Sequence, residues 1–172
     1  MLLARCYQIE SENEQSKQTL ERLLKNAPDH LEAKVELARL LQAEADHATA
    51  VELLTQATNS RPELVENWQL LKACLEQDGQ QEAAQSAQAQ YDMIKAYNDH
   101  LDKAQQAFVN GEYVRADNLC RKLLERVPGE VRTMRLLARI ARHFRHYEIC
   151  KSILEPCIKT RPKDVGLRVE IG

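Results

Sequence analysis

Apolar residues recur along the chain at spacings of three and four, and few stretches alternate apolar with polar over strand lengths. That period belongs to amphipathic helices rather than to half-buried strands. The pattern therefore predicts an all-α protein. Its helices fall at 1–9, 12–26, 31–43, 47–60, 64–77, 80 onward, up to 110, 113–126, 131–143 and 147–160, with a last one starting near 164. Asp46 fits the N-cap of the helix at 47. Between Gly79 and Gly111 neither glycine nor proline occurs, and Ala84, Ala87, Tyr91, Ile94, Leu101, Ala104 and Phe108 keep one apolar stripe going. The stripe favours one long helix from about 80 to 110. A break at Asn98–Asp99 is the alternative.

The prolines add a second, longer period. Pro28 and Pro62 lie 34 residues apart, as do Pro128 and Pro162. In the segments they close, Leu20, Leu54, Cys120 and Leu154 fall in one column, and the small side chains Ser16, Ala50, Ala116 and Cys150 in another. Ser11, Ala45, Gly111 and Arg145 share a third, where a tight turn is expected. A further segment, WQLLKACLEQDGQQEAA, carries Trp68, Leu71, Leu75, Gly79 and Ala84 at the same relative spacing without a closing proline. This pattern, over essentially the whole chain, resembles the tetratricopeptide repeat.

The resemblance implies antiparallel helix pairs, A and B, stacked into a right-handed superhelix because one pair cannot bury its apolar face alone. Five repeats are expected, at about 1–28, 29–62, 63–96, 97–128 and 129–162, with a further helix starting over 163–172, as a single array. Three departures stand out. Lys72 takes a slot normally small, so the third repeat is expected to pack less tightly. Pro156 sits inside the last B helix and is expected to bend it. Pro62 and Pro128 are 66 residues apart, two short of two repeats. Both ends enter or leave in mid-helix, whereas an intact array normally has polar caps. The chain is thus expected to be a piece of a longer protein, or to dimerise through its ends.

Composition narrows the function. Residues 1–96 carry 9 Lys/Arg against 16 Asp/Glu, and residues 97–172 carry 15 against 10. The basic second half points to an anionic partner, while the acidic first half argues against nucleic acid. The five cysteines (6, 74, 120, 150, 157) form no CxxC and fall on faces the repeats bury, so they are read as packing residues of a reducing, cytoplasmic compartment. No apolar run approaches a membrane span. There is no phosphate loop, nucleophile elbow or HExxH, and neither enzyme activity nor a cofactor or metal is expected within these residues.

The positive charge concentrates in EVRTMRLLARIARHFRH, residues 130–146, which hold five arginines and two histidines. In the resembled family, slots roughly 30, 27, 23 and 20 residues before each closing proline line the concave surface. Counting back from Pro162 implies that Arg132, Arg135, Arg139 and Arg142 line it. At about 100° per residue they span an arc of about 80°, with His146 inside it. Met134, Leu137, Ala138, Ala141 and Phe144 form the opposite, core-facing stripe. The other repeats offer Glu32, Val35, Arg39 and Gln42; Glu66, Gln69, Ala73 and Glu76; and Asn98, Leu101, Gln105 and Phe108. Some family members clamp a terminal carboxylate with Lys and Asn from successive A helices; here only Asn98 could contribute, and that assignment is rejected.

Like charges three and four apart oppose the helix by roughly 1 kcal/mol. The simpler reading balances them with Asp102, Glu130 and water. The sharper one is an anionic ligand, since guanidinium forks match carboxylates. His143 and His146 are weak metal candidates and fit better as a pH-sensitive part of anion binding. Arg132, Arg135, Arg139, Arg142, His143, Gln105 and Asn98 are accordingly the candidate partner-binding residues of a protein-interaction scaffold for an acidic protein or peptide. A second expectation, from a similarity of residues 101–144 to repeats ahead of some bacterial sulfotransferase domains, places catalysis outside this chain.

Overall fold

The structure is a computed structural model that describes residues 13–160. The expectations for residues 1–12 and 161–172, including a first helix at 1–9, Ser11 in the turn column, a buried Cys6 and a helix near 164, lie outside the described residues. Among the described residues there are eight helices and no strand: α1 (Asn13–Asn26), α2 (Leu31–Ala43), α3 (His47–Ser60), α4 (Val65–Gln77), α5 (Gln81–Val109), α6 (Tyr113–Arg126), α7 (Val131–His143) and α8 (Tyr147–Thr160). The fold is all-α, as the periodicity requires. Helix α5 runs through Asn98–Asp99 without a break, which decides between the two readings of that stretch. Nothing in it interrupts the backbone ladder, because glycine and proline are both absent.

The chain divides into two compact units, Met1–Lys95 and Ala96–Gly172. In the first, Leu20, Leu37, Leu41, Leu54, Leu71 and Leu75 share one core with Ala84 and Ala87 from the start of α5. In the second, Leu101, Ala104 and Ala107 from the end of α5 pack with Cys120, Leu123, Leu136 and Ile140, and a neighbouring cluster joins Ala138 and Ala141 to Cys150, Leu154 and Cys157. The columns read from the prolines are the buried ones. Leu20, Leu54, Cys120 and Leu154 are at most 1% exposed, and Ser16, Ala50 and Ala116 are fully buried. Small side chains there let paired helices approach closely.

The turn column has a single backbone solution. Ala45, Gly79, Gly111 and Arg145 all have positive φ, at 62°, 79°, 79° and 59°. At each, the residue's N–H donates to the carbonyl three back and the next N–H to the carbonyl five back, as in Asp46 to Leu41 at 2.9 Å and His146 to Ala141 at 2.9 Å. This is the Schellman closure, which satisfies the last carbonyls of an A helix and reverses the chain. Two of the four turns use glycine. Ala45 and Arg145 adopt the same left-handed backbone against the Cβ penalty.

Helix starts are also specified locally. The Asp46 carboxylate accepts from Thr49 N–H at 3.3 Å, as the sequence predicts, and His30 Nδ1 accepts from Ala33 N–H at 3.3 Å. Lys72 is half-buried, its ammonium 3.6 Å from Glu76. Helix α8 continues through Pro156, which has no N–H to give to the backbone ladder there.

Candidate functional site

Helix α7 begins at a Pro128–Gly129 turn, with Gly129 at φ 79° and Glu130 N–H donating to Val127 C=O at 3.4 Å. Glu130 then caps it. One carboxylate oxygen accepts from Thr133 N–H at 2.8 Å and from the Thr133 hydroxyl at 2.9 Å, and the other takes Arg132 Nε at 2.7 Å. Tyr97 of α5 closes the network, its hydroxyl 2.6 Å from Thr133 Oγ1 and 3.3 Å from Glu130. Burial pushes the Glu130 carboxyl up, but the Arg132 guanidinium and the Thr133 donors outweigh it and hold it below the usual carboxylate range. Burial pushes the Tyr97 hydroxyl up to about 12; the Thr133 hydrogen bond opposes that rise and the Glu130 charge adds to it.

Beyond this cap, α7 buries two faces. Leu137, Ala138 and Ala141 are buried as expected, and so are Thr133, Leu136 and Ile140 on the adjoining side, where they meet α5 and α6. The arginines occupy the strip that remains. Arg132 and Arg135 are half-buried, and Arg139 and Arg142 are exposed. Two ring contacts tie this strip to α5: the Arg139 guanidinium lies 4.9 Å from the Phe108 ring centroid and that of Arg132 6.0 Å from the Tyr97 ring. Both fall within cation–π range. Arg132 is neutralised by Glu130, whereas Arg139 and Arg142 make no ion pair among the described residues.

The remaining candidates divide. Gln105 is exposed and Asn98 half-buried, both on α5. Of the other α5 slots expected to line the surface, Leu101 is buried and offers none. His143 is exposed and stacks on Tyr113, the ring centroids 3.7 Å apart at 26°. Phe144 corrects the expected core stripe. It is 46% exposed because it follows the last helical residue as the C-cap, where the helical period no longer applies. Sequence reasoning missed Thr133, Tyr113 and the bonds that Tyr97 makes to Thr133 and Glu130, since hydrogen bonds and stacking across repeats leave no mark in a one-helix pattern. The paired apolar residues of LLARIA were the available signal that α7 buries more than one face.

Cys74, Cys120, Cys150 and Cys157 are buried and unbridged. Burial raises the Cys74 thiol and pushes Cys120 up to about 12, which suits packing rather than thiolate chemistry. Among the described residues no cluster of His, Cys, Asp and Glu could hold a metal, and no helix is long and apolar enough to cross a membrane.

No protein-family model matches the sequence. No curated protein matches it either. Solved structures do. MamA is similar over 96% of this chain and 98% of its own, at 13% identity and a TM-score of 0.53. A tetratricopeptide repeat protein from Parabacteroides merdae is similar over 98% of this chain and 68% of its own, at 13% identity and 0.51. YrrB, described as a TPR protein with an unusual peptide-binding site, is similar over 96% and 86%, at 14% identity and 0.50. At such identities the likeness concerns the fold. The chain has the tetratricopeptide-repeat fold, as its proline period and buried columns imply.

Proposed function

We propose that this chain is a protein-interaction scaffold whose second unit captures an acidic peptide segment along the α7 arginine strip. One observation carries the reading. Arg139 and Arg142 are exposed and without an ion pair among the described residues, while the same helix neutralises Arg132 with Glu130. Glu130 takes the charge of Arg132, whereas Arg139 and Arg142 face solvent in the free chain and are open to a partner's carboxylates. The Phe108 ring beneath Arg139 holds its guanidinium with its donors free to fork onto a carboxylate. Asn98, Gln105, Arg135 and His143 are placed in the same binding surface, and the five repeats are taken as one array. Repeats serving a catalytic domain elsewhere remain the second expectation, which no observation here favours.

The test is fluorescence anisotropy with a labelled peptide rich in Glu and Asp, against its Gln and Asn analogue. The acidic peptide should bind at least about tenfold tighter at low salt, and the difference should shrink as salt screens it. Equal binding of the two would end the reading.

A further inference from the structure

The turn between α7 and α8 exposes more apolar surface than an anion site requires. Phe144 is 46% exposed, Tyr147 62% and Ile149 49%. Phe144 stands edge-on to Tyr113 at 5.8 Å and to His143 at 5.3 Å, and Tyr113 in turn meets Phe108 at 5.5 Å. The corresponding turn in the first unit, Ala43–Asp46, makes the same Schellman closure with no ring at all. The backbone therefore does not demand these rings. Around them positive charge predominates: residues 139–146 hold three arginines, two histidines and no acid. Of the acids beside this edge in sequence, Glu112 is engaged by Arg115 at 2.7 Å, and Glu148 is exposed on the first turn of α8. Exposed apolar surface rimmed mainly by positive charge suits a docking segment of the opposite sign.

We infer that the Phe144–Tyr147 edge takes a large apolar side chain of the acidic partner segment, while Arg139 and Arg142 take the carboxylates beside it. The inference rests on the acidic-partner reading and narrows it. The partner is a protein segment in which an aromatic or long aliphatic residue is flanked by Asp or Glu. Binding energy then comes from burial of that side chain, and orientation from the guanidinium pair.

Two labelled peptides of Glu and Asp, one with a central Phe and one with Ser in its place, test this on the whole chain. The Phe peptide should bind about tenfold tighter, the worth of burying one such side chain. Phe144→Ser should remove that advantage while leaving the affinity for the Ser peptide as it was. Tyr147→Ser, more exposed still, should do the same and stands in should Phe144→Ser lose its helical circular dichroism. Equal affinity of the two peptides for the wild type overturns the inference yet leaves the acidic reading standing. Tight binding of a Gln and Asn peptide that keeps the Phe removes the acidic reading instead. If sedimentation shows that the wild type self-associates and Phe144→Ser abolishes it, a second copy covers the edge and the inference falls.

Discussion

Ala43–Asp46 in the first unit and His143–His146 in the second are the same turn built from opposite chemistry. Both place a non-glycine residue at positive φ, Ala45 at 62° and Arg145 at 59°, and both close with paired backbone hydrogen bonds. The first reads Ala-Glu-Ala-Asp and the second His-Phe-Arg-His. Helices α2 and α7 show the same contrast. Ala38 and Ala138 fill matching buried slots, yet the strip of α2 reads Glu32, Val35, Arg39 and Gln42 where α7 reads arginine throughout. The repeat dictates which positions are buried and how the backbone turns. It leaves the exposed columns free, and there the second unit has accumulated rings and cations.

Substitutions in the shared columns should act alike in both units. Leu54→Ala and Leu154→Ala, both fully buried, should each cost about 3 kcal/mol in urea unfolding, with Cys120→Ala costing less because fewer atoms are removed. A Leu154→Ala loss below about 1 kcal/mol would show that the columns are not equivalent.

The helix caps should separate the units. Glu130→Ala removes a cap that also holds Arg132 and Thr133, and should cost about 2 kcal/mol, whereas His30→Ala, with one bond at 3.3 Å, should cost about 0.5 kcal/mol. Because the folded Glu130 carboxyl lies below its ordinary value of 4.5, its contribution is present above that pH and fades as pH falls through the lowered value. The stability gap between wild type and Glu130→Gln should therefore narrow as denaturation is repeated at progressively lower pH below 4.5. A gap that widened on acidification would reverse the assignment.

The turns carry the smallest effects. No atom lies within 4 Å of a Cβ built on Gly79 or Gly111, so alanine there should cost only the left-handed backbone penalty, about 1 kcal/mol. Ala45→Gly and Arg145→Gly should recover part of that penalty, up to about 1 kcal/mol, as a rise in thermal midpoint in either unit. Loss of stability from both would mean that the turns are held by their side chains.

Much of the fold was legible because its causes are local. Proline spacing, small residues in phase and turn positions each act within one helix pair, and the helices lie within a residue or so of the expected bounds. The Arg139 and Arg142 strip was legible for the same reason. Glu130 was legible as an acid balancing the arginines, but its network with Thr133 and Tyr97 was not, since Tyr97 lies 36 residues before Thr133 and meets it only once two repeats stack. Phe144 was misplaced because the helical period was carried one residue past the helix, into its cap. Arg132 was grouped with its neighbours although Glu130, two residues away, takes its charge.

The central claim is that Arg139 and Arg142 hold the carboxylates of an acidic segment. Its most direct test is the affinity of an acidic Phe-containing peptide for the double variant Arg139→Glu, Arg142→Glu, beside a circular dichroism melt. The account predicts a loss of about thirtyfold or more with the helical signal and midpoint retained, as reversal replaces two attractive pairs with repulsion. Unchanged affinity in a folded double variant would contradict it.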